Sequence, residues 1–197
     1  MPESLNQNFN HLKVHTQYSI CEGAAKIDDL QEYCKSNKIK SLGISDTSNL
    51  CGALEFAEKI SKSGTQPIIG TQINFKLNDT TGLLPLFALN ETGYKNIIEL
   101  SSNSYLENDE LSDPHVNFDE LLKSSDGVSV FSGTVLGLFG KLFDKGKFTE
   151  IKEIYSKIKE VFGDRFYLEI QRHNDANENG FEKFNLKKSV ELEIPII

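Results

Sequence analysis

Short apolar runs alternate with amphipathic stretches along the chain from Phe9 onwards. The runs are rich in β-branched and aromatic residues, and the stretches repeat apolar residues at three- and four-residue spacing, which is typical of βαβ units and a parallel sheet or barrel. The predicted strands are Phe9–His15, Ser41–Ser45, Ile68–Phe75, Leu83–Leu89, Val128–Phe131, Arg165–Gln171 and a final one that begins at Pro195–Ile197. The predicted helices are Asp28–Asn37, Asn49–Ser61, one that follows Asn90, Phe118–Lys123, Thr149–Phe162 and Gly180–Glu191.

The spacing of apolar residues in three of these helices also predicts which side chains face the core. They are, helix by helix, Leu30, Tyr33 and Cys34; Leu50, Leu54, Ala57 and Ile60; and Ile151, Ile154, Tyr155, Ile158 and Val161.

Turn and cap residues separate these elements. The polar cluster Asn78–Gly82 predicts a hairpin-like turn between an antiparallel pair of strands, and Asn90 predicts a helix N-cap. The polar stretch Asn103–Asn117 predicts a long surface loop. We expect one domain over residues 1–197 with a flexible start over residues 1–8, and the apolar run at Pro195–Ile197 favours a piece of a longer polypeptide that ends inside a buried strand.

Composition narrows the functional classes. The formal net charge of −8 and the 38% hydrophobic content describe an ordinary folded domain whose surface does not grip DNA by itself, because phosphate contacts need clustered Lys and Arg. The sequence shows neither a signal peptide nor an apolar run of membrane-spanning length, so we expect a cytoplasmic protein with no membrane contact. The cysteines Cys21, Cys34 and Cys51 form no C-x-x-C pair and are expected to be free, mostly buried thiols.

Five segments in order along the chain carry a family resemblance. They are His11–Ser19 with Gly23, Ser45–Gly52, Pro67–Gln72, Asn90–Ile97 and Asp164–His173. Together they resemble the PHP (polymerase and histidinol phosphatase) domain at the N-terminus of bacterial DNA polymerase III alpha subunits. The Gly93-Tyr94-Lys95-Asn96 helix start favours this branch over the stand-alone phosphatases.

The resemblance implies a distorted (β/α)₇ barrel, here truncated near its last strand. Its site would lie at the C-terminal ends of the strands. Members with an intact site use a His-x-His pair, an Asp-His pair, a Glu, a Cys and further histidines to hold a metal cluster for phosphoester hydrolysis.

In this chain the ligand pattern is broken. Lys13 replaces the first His of the His-x-His pair and leaves His15, and the Asp-His pair reads Asp46-Thr47. Gln72 replaces the Glu and Thr134 replaces the Cys, while His173 corresponds to a retained histidine. Because closely spaced cations need several anionic ligands, we expect no metal, no other cofactor and no catalytic residue in this domain.

The positive charge of Lys13 suggests a specific partner for it. An ammonium group repels divalent cations and can stand in for one, so we expect Lys13 to pair with Asp46. His15 and Asp46 are expected to be remnants of the site. The glycines around Ser132-Gly133-Thr134 lack the phosphate-loop pattern, and no G-x-S-x-G elbow supports a serine nucleophile, so both are assigned to turns.

The resemblance further implies partners and a parent activity. The parent is a DNA-directed DNA polymerase whose catalytic carboxylates lie beyond these residues, and the domain is expected to be a non-catalytic scaffold for the rest of the alpha chain. It would dock a separate proofreading exonuclease subunit and meet DNA only through the parent. The alternatives are an active metal-dependent phosphoesterase or 3′–5′ exonuclease, and a stand-alone regulatory protein.

Overall fold

A computed structural model of the chain describes residues 9–108 and 112–197. It divides into two compact units, one up to Gln72 and one from Ile73 onwards, which are described separately below. The expected flexible start, residues 1–8, lies outside the described residues.

The first unit is built from helices α1 (Ile27–Asn37) and α2 (Ala53–Lys62) with strand β1 (Ser41–Thr47) and the first half of strand β2 (Gln66–Leu77). Strands β1 and β2 pair in parallel, with Asp46 opposite Thr71 and Thr47 opposite Gln72. The core of this unit is apolar and fully buried, as expected for a strand covered by helices. It consists of Ile27, Cys34, Leu42, Ile44, Phe56 and Ile60.

The segment before β1 differs from the predicted strand Phe9–His15. It runs beside β1 through an isolated parallel bridge at Val14, with His11 O accepting from Gly43 N at 2.7 Å and Val14 O accepting from Ser45 N at 2.9 Å. Three steps along one chain therefore oppose two along the other, which is the signature of a β-bulge. Gly43 permits this approach, because a Cβ there would lie 2.4 Å from the Leu12 carbonyl oxygen.

The second unit contains the rest of the chain. Its elements are the end of β2, β3 (Thr80–Ala88), α3 (Glu91–Leu106), β4 (Val116–Asn117), α4 (Phe118–Lys123), β5 (Val128–Phe131), α5 (Leu138–Asp144), α6 (Phe148–Phe162), β6 (Phe166–Tyr167) and α7 (Glu178–Leu192). Strand β3 pairs antiparallel with β5, β5 pairs parallel with β6, and β4 pairs parallel with the end of β2. The second unit therefore contains a mixed sheet with helices, and the predicted α/β class is confirmed.

Several local predictions are confirmed here. The turn between β2 and β3 is the pair Asn78-Asp79, and Asn90 Oδ1 accepts from Gly93 N at 2.9 Å as the predicted N-cap of α3. The final apolar run pairs with the chain after β6, because Leu168 N donates to Pro195 O at 2.9 Å and Ile197 N donates to Leu168 O at 3.0 Å.

Other predictions are wrong, for identifiable reasons. Leu54 is 72% exposed because the buried stripe of α2 passes through Ala53, Phe56 and Ile60, one position away. Tyr33 and Val161 are exposed as well, at the margins of their apolar stripes. Cys34 is buried as expected, but Cys21 and Cys51 are exposed.

Three further boundaries differ from prediction. Helix α5 was missed because a glycine, Gly140, lies inside it, where it allows close contact with the Val135 carbonyl. Strand β6 is shorter than the predicted Arg165–Gln171. The predicted loop Asn103–Asn117 begins inside α3, and its residues 109–111 lie outside the described residues. No helix in the described ranges is both long and apolar enough to cross a membrane.

We predict that Ser45→Ala leaves stability unchanged or raises it. Ser45 is 0% exposed, and its hydroxyl has no hydrogen-bond partner among the described atoms. Removing an unsatisfied buried polar group relieves its desolvation cost, so the free energy of unfolding should rise by up to about 1 kcal/mol. Urea denaturation measures this change.

Thr71→Val is the matched control. The Thr71 hydroxyl is equally buried but donates to the Asp46 carbonyl at 2.6 Å, so its removal should lower the free energy of unfolding by about 1–3 kcal/mol. Equal losses from both variants would contradict the assignment of Ser45.

We also predict that the ion pairs between α6 and α7 add pH-dependent stability. Glu191 accepts hydrogen bonds from Lys152 and, at 2.5 Å, from Lys188, and these bonds lower the pKa of Glu191 to about 2. A depressed carboxyl pKa adds stability above the unfolded-state pKa and loses it as the pH falls towards the folded-state value. Glu191→Gln should therefore have a lower melting temperature than the wild type at pH 7, and the difference should vanish at acidic pH. A difference that stays constant with pH would contradict this contribution of the ion pairs.

Candidate functional site

Asp46 is the buried centre of the predicted site in the first unit. It lies near the C-terminal end of β1 and is 1% exposed. Its carboxylate accepts from Thr16 N at 2.6 Å, from Thr16 Oγ1 at 2.7 Å and from Ser19 Oγ at 2.6 Å. These bonds satisfy a buried charge that would otherwise be costly, and they reach both carboxylate oxygens.

The hypothesis that Lys13 pairs with Asp46 stays a prediction. The carboxylate of Asp46 accepts hydrogen bonds from the neutral groups of Thr16 and Ser19, which the sequence did not predict as its partners. Lys13 contributes a nearby positive charge to the environment of His15.

His15 lies between Ser19 and Gln72. Its Nε2 atom is 3.2 Å from Gln72 Nε2, and its Nδ1 atom is 3.4 Å from Ser19 Oγ. Because an amide nitrogen can only donate, this orientation of the Gln72 amide fits the tautomer of His15 that accepts at Nε2 and carries its proton on Nδ1.

The environment of His15 disfavours the protonated ring. Burial lowers the pKa of His15, the positive charge of Lys13 lowers it further, and the negative charges of Glu22 and Asp46 partly oppose both effects. The Gln72 amide acts in the same direction, because a protonated Nε2 would point its hydrogen at another donor.

Thr47 takes part in a different contact. Its hydroxyl donates to Glu22 Oε2 at 2.5 Å, and its backbone N–H donates to Ser19 Oγ at 3.2 Å. The Thr47 position therefore attaches the loop that follows His15 to the end of β1.

The two remaining predicted residues lie in the second unit. Thr134 Oγ1 accepts from Leu136 N at 3.2 Å, a turn contact, as assigned from the sequence. His173 is exposed, its Nε2 atom lies 3.2 Å from Gln171 Oε1, and its backbone N–H donates to Glu178. Thr134 lines a small cleft together with Glu169, and Gln171 Nε2 donates to Glu169 Oε1 at 2.7 Å.

Sequence reasoning missed the residues that satisfy the site. Thr16, Ser19 and Glu22 lie in the motif around His15, but a hydroxyl that binds a carboxylate has no sequence signature of its own. Glu169 had a detectable signal, because it is a single acid inside the apolar run Phe166–Ile170 and is 6% exposed.

This donor set does not fit a metal cluster. Within residues 9–108 and 112–197, no group of three or more His, Cys, Asp or Glu side chains is arranged to hold a metal ion. In the first unit the two remaining ligand types, the Asp46 carboxylate and the His15 imidazole, already accept from neutral donors. A metal ion that bound here would compete with these donors for the Asp46 carboxylate and the His15 ring.

The comparisons with known proteins define the class. The PHP domain family matches residues 11–173, and the chain therefore belongs to the PHP domain family.

Several relatives with similar sequences belong to one branch of the PHP family, the DNA polymerase III alpha subunits. DNA polymerase III subunit alpha from Caulobacter vibrioides is 34% identical over 100% of this chain, and the same subunit from Borreliella burgdorferi is 36% identical over 98%. The chain covers 18% of the length of each of these relatives.

Two solved structures share the fold at low identity. An amidohydrolase from Chromobacterium violaceum, solved with bound sulfate and no metal, matches with a TM-score of 0.59 and 10% identity over 95% of this chain and 84% of its own. A crystal structure described as a metal-dependent phosphoesterase from Bifidobacterium adolescentis matches with a TM-score of 0.51 and 13% identity over 95% of this chain and 85% of its own. These likenesses concern the fold alone.

We predict that Lys13→Met raises the pKa of His15, because the variant removes a positive charge that disfavours the imidazolium form. An NMR titration of the His15 ring protons measures this pKa directly. Lys35→Met, which removes an exposed charge from α1, is the control and should leave the pKa of His15 unchanged. An unchanged pKa in Lys13→Met would show that Lys13 does not act on this ring.

Proposed function

We propose that this chain is the PHP domain of a bacterial DNA polymerase III alpha subunit and that it acts as a metal-free structural scaffold. The observation that carries the proposal is the set of neutral contacts at the site: Thr16 and Ser19 donate to Asp46, and the Gln72 amide contacts His15. The whole-chain similarity to alpha subunits, over less than a fifth of their length, supports the placement.

In this proposal the polymerase activity belongs to the rest of the parent protein. Nucleotidyl transfer needs carboxylates that hold metal ions, and these would lie in the remaining part of the alpha chain. The net charge of −8 supports a domain that meets DNA only through its parent.

A structural scaffold also implies binding partners. We expect the partners to be the rest of the alpha chain and a separate proofreading exonuclease subunit. A metal-free PHP domain would not remove mismatched nucleotides itself, so the second activity would have to come from a bound subunit.

The alternative is an active metal-dependent phosphoesterase or 3′–5′ exonuclease. The likeness in fold to a protein described as a metal-dependent phosphoesterase is the observation that favours it. Lys13, Thr47, Gln72 and Thr134 stand against it, because each replaces a ligand of the intact family pattern.

Metal analysis of the purified protein distinguishes the metal-free scaffold from the metal-dependent enzyme. We predict that the protein, purified without chelator, carries far less than one equivalent of zinc, manganese or iron. The triple variant Lys13→His, Thr47→His, Gln72→Glu restores ligand types that these metals prefer and should bind more metal than the wild type. Two or more equivalents in the wild type would contradict the proposal, and hydrolysis of 3′ DNA ends would then be the activity to measure.

A further inference from the structure

The first turn of α7 contains a reactive pair of residues, Asn179 and Gly180. When glycine follows asparagine, no side chain shields the glycine backbone nitrogen, and this nitrogen can attack the carbonyl carbon of the asparagine side chain. The attack needs a backbone N–H that is free of a hydrogen bond and a backbone that can rotate. Whether the pair reacts in the folded protein therefore depends on how firmly the first turn is held.

This first turn is weakly held. The N-cap residue Asn177 has a left-handed backbone with φ of 64° and makes no side-chain bond to the turn, because its side chain donates to Asp144 at 2.9 Å. Phe181 N donates to Asn177 O at 2.9 Å, so Gly180 N is the last of the four N-terminal amides that lack an acceptor inside the helix. Both Asn179 and Gly180 are exposed, and glycine itself disfavours helix.

A comparable pair in the same unit is protected by packing. Asp126 and Gly127 could form the same ring, but Gly127 O accepts from Leu89 N at 2.8 Å and Asp126 O accepts from Asn96 Nδ2 at 2.8 Å. Gly93 packs so closely on this turn that a Cβ at position 93 would lie 1.8 Å from Gly127 O. The two pairs share a glycine but differ in the freedom of its backbone.

We propose that Asn179 is a site of deamidation, independently of the proposed scaffold function. The Gly180 nitrogen attacks Asn179 Cγ, the new C–N bond closes a five-membered succinimide ring, and the bond between Cγ and Nδ2 breaks. The side-chain nitrogen leaves as ammonia after taking up the proton that the Gly180 nitrogen loses. Water then opens the ring at either carbonyl and leaves aspartate or isoaspartate at position 179. One water is consumed and one ammonia is released, so no oxidant is required.

The modification would change the contacts that α7 makes with the loop before it. Glu178 accepts from His173 N and from Asn174 N, each at 2.8 Å, and Glu182 forms an ion pair with Arg172 at 2.7 Å. The two glutamates are four residues apart and share one face of the helix. Isoaspartate adds one carbon to the backbone between them, so they can no longer hold the loop from the same face.

The test incubates the intact protein at neutral pH and physiological temperature and then digests it for mass spectrometry. Trypsin cleaves after Arg172 and Lys183, so one peptide carries Asn174, Asn177 and Asn179. The first two are internal controls, because each precedes an acidic residue whose side chain shields the backbone nitrogen. We expect deamidation at Asn179 and none at the other two. Equal deamidation at all three would overturn the proposal.

Gly180→Ala is the matched variant. A Cβ at position 180 would lie 3.4 Å from the Phe143 ring, an ordinary contact, so the variant should fold. Its methyl group shields the nitrogen and favours the helix, and deamidation at Asn179 should be lost. The same incubation in urea gives the behaviour of the unfolded chain. Wild-type modification that occurs only in urea, or that persists in folded Gly180→Ala, would overturn the proposal.

Hydrogen exchange tests the structural consequence. The amides of His173 and Asn174 should exchange faster in the aged wild type than in the fresh protein, because their acceptor Glu178 is displaced. Aged Gly180→Ala should keep the exchange rates of the fresh protein. Unchanged protection in the deamidated wild type would overturn the assigned effect on the loop.

Discussion

A carboxylate held out of water by neutral donors organises the first unit. Asp46 is 1% exposed, and burying an isolated charge of this kind costs several kcal/mol unless hydrogen bonds replace the lost hydration. Two side chains and one backbone group provide those bonds, and all of them belong to Thr16 and Ser19. The loop between His15 and Gly23 is therefore ordered by a charge that lies in the neighbouring strand.

The arrangement is consistent with the proposed metal-free scaffold. In an intact metal centre, cations balance the carboxylates and the ligands hold one another through the metal. In this chain the hydroxyls of Thr16 and Ser19 donate to Asp46, and the amide of Gln72 contacts His15. These neutral contacts hold the residues in place from within the protein, which suits a domain whose proposed role is structural support.

The sequence predicted the elements better than it predicted their faces or contacts. The capped helix after Asn90 and the strand β5 were readable because cap chemistry and β-rich runs are local properties. The exposure of Leu54 was not readable, because one position along a helix rotates a side chain by about 100° and only the neighbouring strand decides which stripe is buried. For the site, His15 contacts Gln72 and shares Ser19 with Asp46, but the hydroxyl donors at Thr16 and Ser19 were not predicted, since they depend on a turn that follows a bulge.

The contact between Gln72 and His15 also sets what a single substitution at this site can do. A glutamate at position 72 would place a carboxylate beside the imidazole, where the two would form an ion pair instead of recruiting a metal. The added carboxylate would stabilise the protonated ring and make it a poorer metal ligand. In the proposed metal-free scaffold, a metal site would therefore require several substitutions made together, and no single change along the way would produce one.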